Sequence, residues 1–328
     1  MYRLNSNELC EIKNICNTWL IHKNNKLNSG KLDIFYQCYK GIDFSSVIKA
    51  FSDRLKTINW QFTKSEEVSG SICFFGGVAT SVLNYGYIKE IEGLFTFAVC
   101  YMLIDHFLDN EAVSDSDKLL FIKEIYQFII TGVKNDNLMV QAVGDRYLEL
   151  INRVPKCREF FIKLFISELE GYKIEKTNTF TRNDYSKSSD EKGGLTSLCI
   201  ASIIGLPTDE KNHEVGALIQ KVDNLLDIED DKAAGIYTLA RYDLDNGNLD
   251  RYLYETMIRI KDLSPIYNVF KIILLLGLIL GIHDHPGCIS NSLNEIIKNY
   301  DIFEGTSKNK LIEWFHSKLG EYMKNNDL

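Results

Sequence analysis

The chain has 328 residues, 45% of them hydrophobic, enough to bury a large core as one big domain or two modest ones. A net charge of −8 and a pI near 5.4 leave no basic face for a polyanion, which argues against a nucleic-acid partner. Eight scattered cysteines with no CxxC pair, behind a start (MYRLNSNELCEIKN) that lacks the layout of a targeting signal, read as buried thiols of a soluble, cytoplasmic protein.

Only four prolines punctuate the chain, apolar residues recur at three- and four-residue spacing almost throughout, and strand-like alternation is nowhere sustained. The expectation is an all-α protein, most economically one domain over 1–328. Helices are predicted at roughly 6–22, 45–58, 71–85, 88–110, 115–132, 137–152, 157–175, 183–204, 209–233, 248–261, 264–282, 289–299 and 307–324. Asn24-Asn25, Ser29-Gly30, Pro155, Gly205-Leu206-Pro207 and Pro286-Gly287 supply breakers between them. Residues 24–42 carry the weakest pattern. The longest apolar run, Ile272 to Ile282, is too short to cross a bilayer and reads as a core helix, so no transmembrane segment is expected.

The helix at 88–110 is apolar on all sides, which places it in the middle of a bundle. Asp105 and Asp109 (YMLIDHFLDN) arrive at its C-terminal end, where the helix dipole disfavours negative charge. Farther on, Asp223, Asp227 and Asp231 (QKVDNLLDIEDDK) form a stripe that begins inside an apolar stretch, with Asn224, Glu229 and Asp230 on adjoining faces. Lys232 follows at once, and Gly235 is the expected helix end. At four-residue spacing carboxylates lie one turn apart on a single face. Like charges facing a bundle interior need a cation, and Mg²⁺ takes oxygen ligands from a few carboxylates and completes its shell with substrate phosphates. The bland alternative is a pair of solvated acidic helix ends.

These residues resemble the isoprenoid synthase superfamily. Asp105-His106-Phe107-Leu108-Asp109 is similar to its DDxxD motif, with histidine at the second aspartate, and Asp223 to Lys232 lines up with the (N/D)DxxSxxxE motif and following base of class I terpene synthases. Asn224, Asp227 and Asp231 depart from the commonest letters while keeping oxygen. Tyr185 with Lys192 seven residues on looks like a polyprenyl synthase segment in which the lysine contacts diphosphate, and there Gly193-Gly194 would be a helix break that opens space for substrate. DIEDDKAAGIYTLARYDL is similar to the second motif of squalene and phytoene synthases. The resemblance covers roughly residues 70–245. It implies an antiparallel helical bundle with a central cavity, binding a prenyl diphosphate through three Mg²⁺, with Mn²⁺ as the other candidate. It assigns Asp105, Asp109, Asp223, Asp227 and Asp231 to metal and catalysis, and Lys192, Lys232, Arg182, Tyr185, Asn224 and Arg241 to substrate.

Within that superfamily, head-to-tail elongation uses a basic pocket from a GGKR-like segment and an RRG after the first motif. Here Ser29-Gly30-Lys31-Leu32 imitates the former poorly, and NEAVSDSDK after Asp109 holds no arginine. The arginine expected before the second motif of the head-to-head enzymes is replaced by Leu226. The resemblance therefore implies a class I terpene synthase, a lyase that ionises one prenyl diphosphate and cyclises it to a sesquiterpene hydrocarbon or alcohol. Farnesyl diphosphate is the leading substrate and the C20 compound the next. A prenyl diphosphate synthase and an inactive regulatory relative are the alternatives, and a homodimer is left open. With 18 Phe, 17 Tyr and 3 Trp, aromatic walls for a carbocation are in supply. Trp60, Phe74, Phe75, Phe97 and Tyr101 are candidates, though ordinary bundle core accounts for any one of them more readily. His283-Asp284-His285 reads as a helix end sooner than as a metal site. Arg241-Tyr242 and Asn299-Tyr300 are each similar to the diphosphate-binding Arg-Tyr pair of terpene synthases.

Overall fold

A computed structural model describes residues 2–20, 44–56, 64–110, 112–283, 285 and 287–300. They form α-helices, one short 3-10 helix and no strand. The predicted helix at 307–324, the weak segment 24–42, Ser29 to Leu32, Trp60 and Asp284 lie outside them. The fold is all-α, and the chain divides into two compact units, each assembled from separated stretches.

One unit draws on residues 42–172 and 194–213. Its centre is the helix Ile91–Asp109, packed by Lys64–Tyr85 and Leu138–Arg153. Asp115–Thr131 lies on Leu138–Arg153, and Phe44–Leu55 lies on Lys64–Tyr85. Phe97 to Cys100, Met102 and Leu103 are buried, while Tyr101 between them is exposed, so the helix is less enclosed than its all-round apolar sequence predicts. Phe97 stacks on Phe161 at 5.9 Å between ring centroids, and Tyr147 meets Phe161 edge-on at 4.7 Å. Each such side chain taken out of water contributes about 1.5–3 kcal/mol. The stretch Ile91–Leu108 is long and apolar enough to cross a membrane by length and composition, and 44% of it is buried within the protein.

The other unit draws on 1–41, 173–193 and 214–318. Its first helix, Ser6–Trp19, opens with a capping box in which Asn5 accepts from the Glu8 N–H and Glu8 accepts from the Asn5 N–H. It packs on Leu249–Asp262, Asn268–His283 and Asn291–Lys298 through an apolar face that includes Ile12, Ile15 and Cys16.

Most predicted helices lie within a few residues of the observed ones, and Cys157–Glu175 has the predicted ends. Three differences bear on function. The helix predicted at 209–233 is two, Glu210–Leu226 and Ile228–Ala233, parted at Asp227. A helix not predicted, Leu239–Asp245, starts where the Thr238 hydroxyl accepts from the Arg241 N–H. Gly193-Gly194 is not a helix break, because Arg182–Ile204 runs straight through it. A Cβ on Gly193 would collide with the Gly216 carbonyl, and one on Gly194 with the His213 ring. The glycines are there so that a neighbouring helix can come close, not to open space.

Candidate functional site

Asp223 stands near the end of Glu210–Leu226, whose rotation is fixed from two sides. Gly193 lets the helix Arg182–Ile204 approach at Gly216, while Val222 and Leu225 press against Gly277 and Gly281 of Asn268–His283. A Cβ there would come within 2.5 Å of Val222 and 2.8 Å of Leu225. With those apolar residues turned inward, Asp223 faces outward and is exposed. Asp227 leaves helical geometry at φ −100°, ψ 12°. The one-turn spacing nevertheless survives, because the Asp227 N–H donates to the Asp223 carbonyl at 2.9 Å and the Asp231 N–H to the Asp227 carbonyl at 2.8 Å. Asn224 is buried, with its amide donating to Ser189 Oγ at 3.1 Å and its oxygen accepting from Gln220 at 3.0 Å. The same Gln220 amide reaches Asp223 Oδ2 at 3.3 Å.

Asp231 is the chemically perturbed member of the stripe. Burial pushes its carboxyl up to about 7, the charges of Asp227 and Glu175 add to the rise, and the Thr238 hydroxyl (3.1 Å) and Lys192 oppose it. Lys192 lies with its ammonium 3.2 Å from both oxygens of Glu175. The chain after Asp231 folds back onto this group: the Tyr237 N–H donates to the Glu175 carbonyl at 2.7 Å. Arg241 sits over the Tyr237 ring at 3.8 Å and donates to the carbonyls of Ile236 (2.7 Å) and Asp231 (3.3 Å). Sequence reasoning missed Glu175. It is one acid among 45 and stands in none of the quoted motifs.

The remaining substrate candidates of this unit are placed differently. Arg182 is forked onto Asp243 (2.8 Å) and Glu255 (2.8 Å), and Asp243 is fully buried. Burial pushes the Asp243 carboxyl up against the pull of Arg182. Tyr185 is buried, donates its hydroxyl to the Thr177 carbonyl and packs on Tyr242 at 5.4 Å. Lys232 is exposed, 3.7 Å from Glu229. A second network, also missed, joins buried Lys221 to Asp190 (3.1 Å), and Arg259 to Asp190 (3.0 Å) and Glu214 (2.7 Å). Tyr300 of the Asn299-Tyr300 pair is buried and donates to Asn17.

In the other unit, Asp105 and Asp109 occupy the last turn of Ile91–Asp109, with Asn110 as its cap. Asp105 and His106 are half-buried. Burial pushes the Cys73 thiol up to about 12, and the Asp105 charge adds to the rise. Phe74 and Phe97 are core, Phe75 is half-buried and Tyr101 is more exposed. His283 ends its helix, and His285 lies 3.7 Å from Glu229.

Among the described residues no three His, Cys, Asp or Glu side chains converge on a ready metal cage. The donors of the Asp223–Asp231 stripe are nonetheless all oxygen. Its innermost carboxylate is desolvated among like charges, the condition under which binding a hard divalent cation relieves the most electrostatic cost. No protein-family model and no curated protein matches the chain.

Proposed function

We propose that the protein is a class I terpene synthase that ionises a prenyl diphosphate, farnesyl diphosphate first, and cyclises the carbocation to a sesquiterpene hydrocarbon or alcohol. The observation that carries this reading is the Asp223–Asp227–Asp231 stripe, whose one-turn spacing persists through a helix break, with Lys192 acting on its innermost member. The C–O bond to the diphosphate breaks with both electrons leaving on oxygen, a double bond of the chain closes on the cation, and the last cation loses a proton or takes water. Asp105, Asp109, Asp223, Asp227 and Asp231 would hold Mg²⁺, which would supply neutralisation of the leaving diphosphate. Lys192 and Lys232 bind phosphate oxygens as point charges. Arg241 and Thr238 hold the segment after Asp231 in place. Arg182 and Tyr185 fix the start of the Lys192 helix through Asp243, Glu255 and Thr177.

Elongation stands second. After Asp109 the next helix starts at a Ser114 cap with Asp115 and Asp117 in its first turn. Its N-terminus, which elsewhere favours phosphate, is here already met by two carboxylates. The deciding experiment incubates the protein with C10, C15 and C20 prenyl diphosphates and Mg²⁺, with labelled isopentenyl diphosphate present, and analyses extracted products. An unlabelled cyclic C15 product is expected. Label in a longer linear diphosphate would transfer the reading to chain elongation, and no product from any substrate would end both.

A further inference from the structure

Glu175 has no part in the resemblance described above, yet its carboxylate occupies the Lys192 ammonium that the proposed function assigns to diphosphate. We infer that Glu175 is a latch: in the unliganded protein its carboxylate competes with phosphate for Lys192, so that a bare diphosphate is refused. The inference rests on the proposed diphosphate site and adds a control to it. Glu175 is the last residue of its helix, and its carbonyl is tied down by the Tyr237 N–H at 2.7 Å, so the latch arm is anchored at its base. Lys192 sits within the helix Arg182–Ile204 and is equally fixed at its backbone. Both side chains are mostly buried, at 18% and 19% exposure, so bulk water competes little for either.

The contact is nevertheless loose. Both N···O distances are 3.2 Å, longer than the 2.7–2.9 Å of a well-formed charge-assisted bond. A single ammonium shared between two carboxylate oxygens can be drawn away by a more highly charged acceptor. Charge sets the condition. Glu175 holds both its oxygens at Lys192, so a lone diphosphate meets that negative charge before it can reach the ammonium. Neutralising that carboxylate lifts the repulsion and unlocks Lys192 together.

The test is calorimetric titration of inorganic diphosphate into the full-length protein in chelator and in Mg²⁺, for wild type, E175Q and E175Q/K192Q. Wild type is expected to bind diphosphate in Mg²⁺ and much more weakly in chelator. E175Q should bind it in chelator about fivefold tighter than wild type, the change expected when a partly buried ion partner is removed. The double variant should lose that gain. E175A serves as a second variant should E175Q fold poorly. Unchanged affinity of E175Q in chelator, with wild type binding normally in Mg²⁺, would overturn the latch alone. A gain that persists in the double variant would overturn it as well, by showing an effect not routed through Lys192. Wild type that binds no diphosphate in Mg²⁺ would overturn the latch and the proposed function together.

Discussion

Asp231 illustrates how a binding residue is held at a cost to the empty protein. Its ordinary value is 3.8 and its folded value is about 7. Between these the native state holds a proton that the unfolded chain has released. Stability therefore falls as pH rises from about 4 to about 7 and levels off above. Asp231→Asn should remove this slope: in chelator the variant should melt higher than wild type at pH 8, with the difference fading towards pH 4, while turnover falls by orders of magnitude. A variant melting lower than wild type at pH 8 would mean that the charge is compensated in the folded state. Arg182 and Lys192, paired as diphosphate ligands on sequence grounds, should separate in the same assays. Arg182→Ala strands the fully buried Asp243 and should cost about 3 kcal/mol by chemical denaturation. Lys192→Ala strands only the partly exposed Glu175, so it should cost less, about 1–2 kcal/mol, and lower turnover by far more than that loss explains. The sequence could not distinguish these two bases, because Asp243 and Glu255 lie far along the chain and no spacing rule connects them to Arg182.

At the level of helices, legibility depended on how local each signal was. Cys157–Glu175 was readable to its ends because Pro155 stands before it and its periodicity is unbroken. Leu239–Asp245 was not, since seven residues hold too few turns to show a period and its start depends on one threonine cap. Gly193-Gly194 was misread because a glycine pair looks the same whether it ends a helix or makes room for one. Only Gly216 and His213 decide the matter, and they belong to another helix. The difference is measurable. Gly193→Ala sets a Cβ against a backbone carbonyl, which cannot swing aside, and should cost about 2–3 kcal/mol or prevent folding. Gly76, mid-helix in Lys64–Tyr85, has nothing within 4 Å of its missing Cβ, so Gly76→Ala should raise stability by up to about 1 kcal/mol. Equal effects from the two changes would refute the packing explanation.

For the molecule as a whole, the all-α class and the helix order were legible because burial periodicity is written residue by residue. Two aspects were not. The aspartates fall in two compact units, Asp105 and Asp109 in one and Asp223, Asp227 and Asp231 in the other. The ion networks around Lys192, Arg182 and Arg259 are tertiary, and sequence motifs do not encode them. If the aspartates serve the proposed reaction, Mg²⁺ and inorganic diphosphate together should raise the melting temperature, by an amount corresponding to about 2.7 kcal/mol at a hundredfold excess over Kd. Either alone should do much less, and chelator should abolish turnover. A full shift from diphosphate without metal would contradict both the carboxylate assignment and the latch.

Among the described residues the helix Ser6–Trp19 packs mainly on Leu249–Asp262 and the helices beyond, so the order of synthesis differs from the order of folding. On the ribosome this helix emerges well before those partners, presenting Ile12, Ile15 and Cys16 before the helices that bury them have been made. The stretch 42–172 supplies most of its own unit and can begin to collapse while the N-terminus still waits. Ile12, Ile15 and Cys16 thus have to stay unaggregated until residues 249–262 have been translated, and the closure that buries them joins stretches far apart in sequence, a slow step by topology. A chain stopped at residue 245 should therefore keep Ser6–Trp19 open to protease while Ile91–Asp109 is already protected. Protection appearing there before residues 249–262 exist would show that the first helix has an earlier partner.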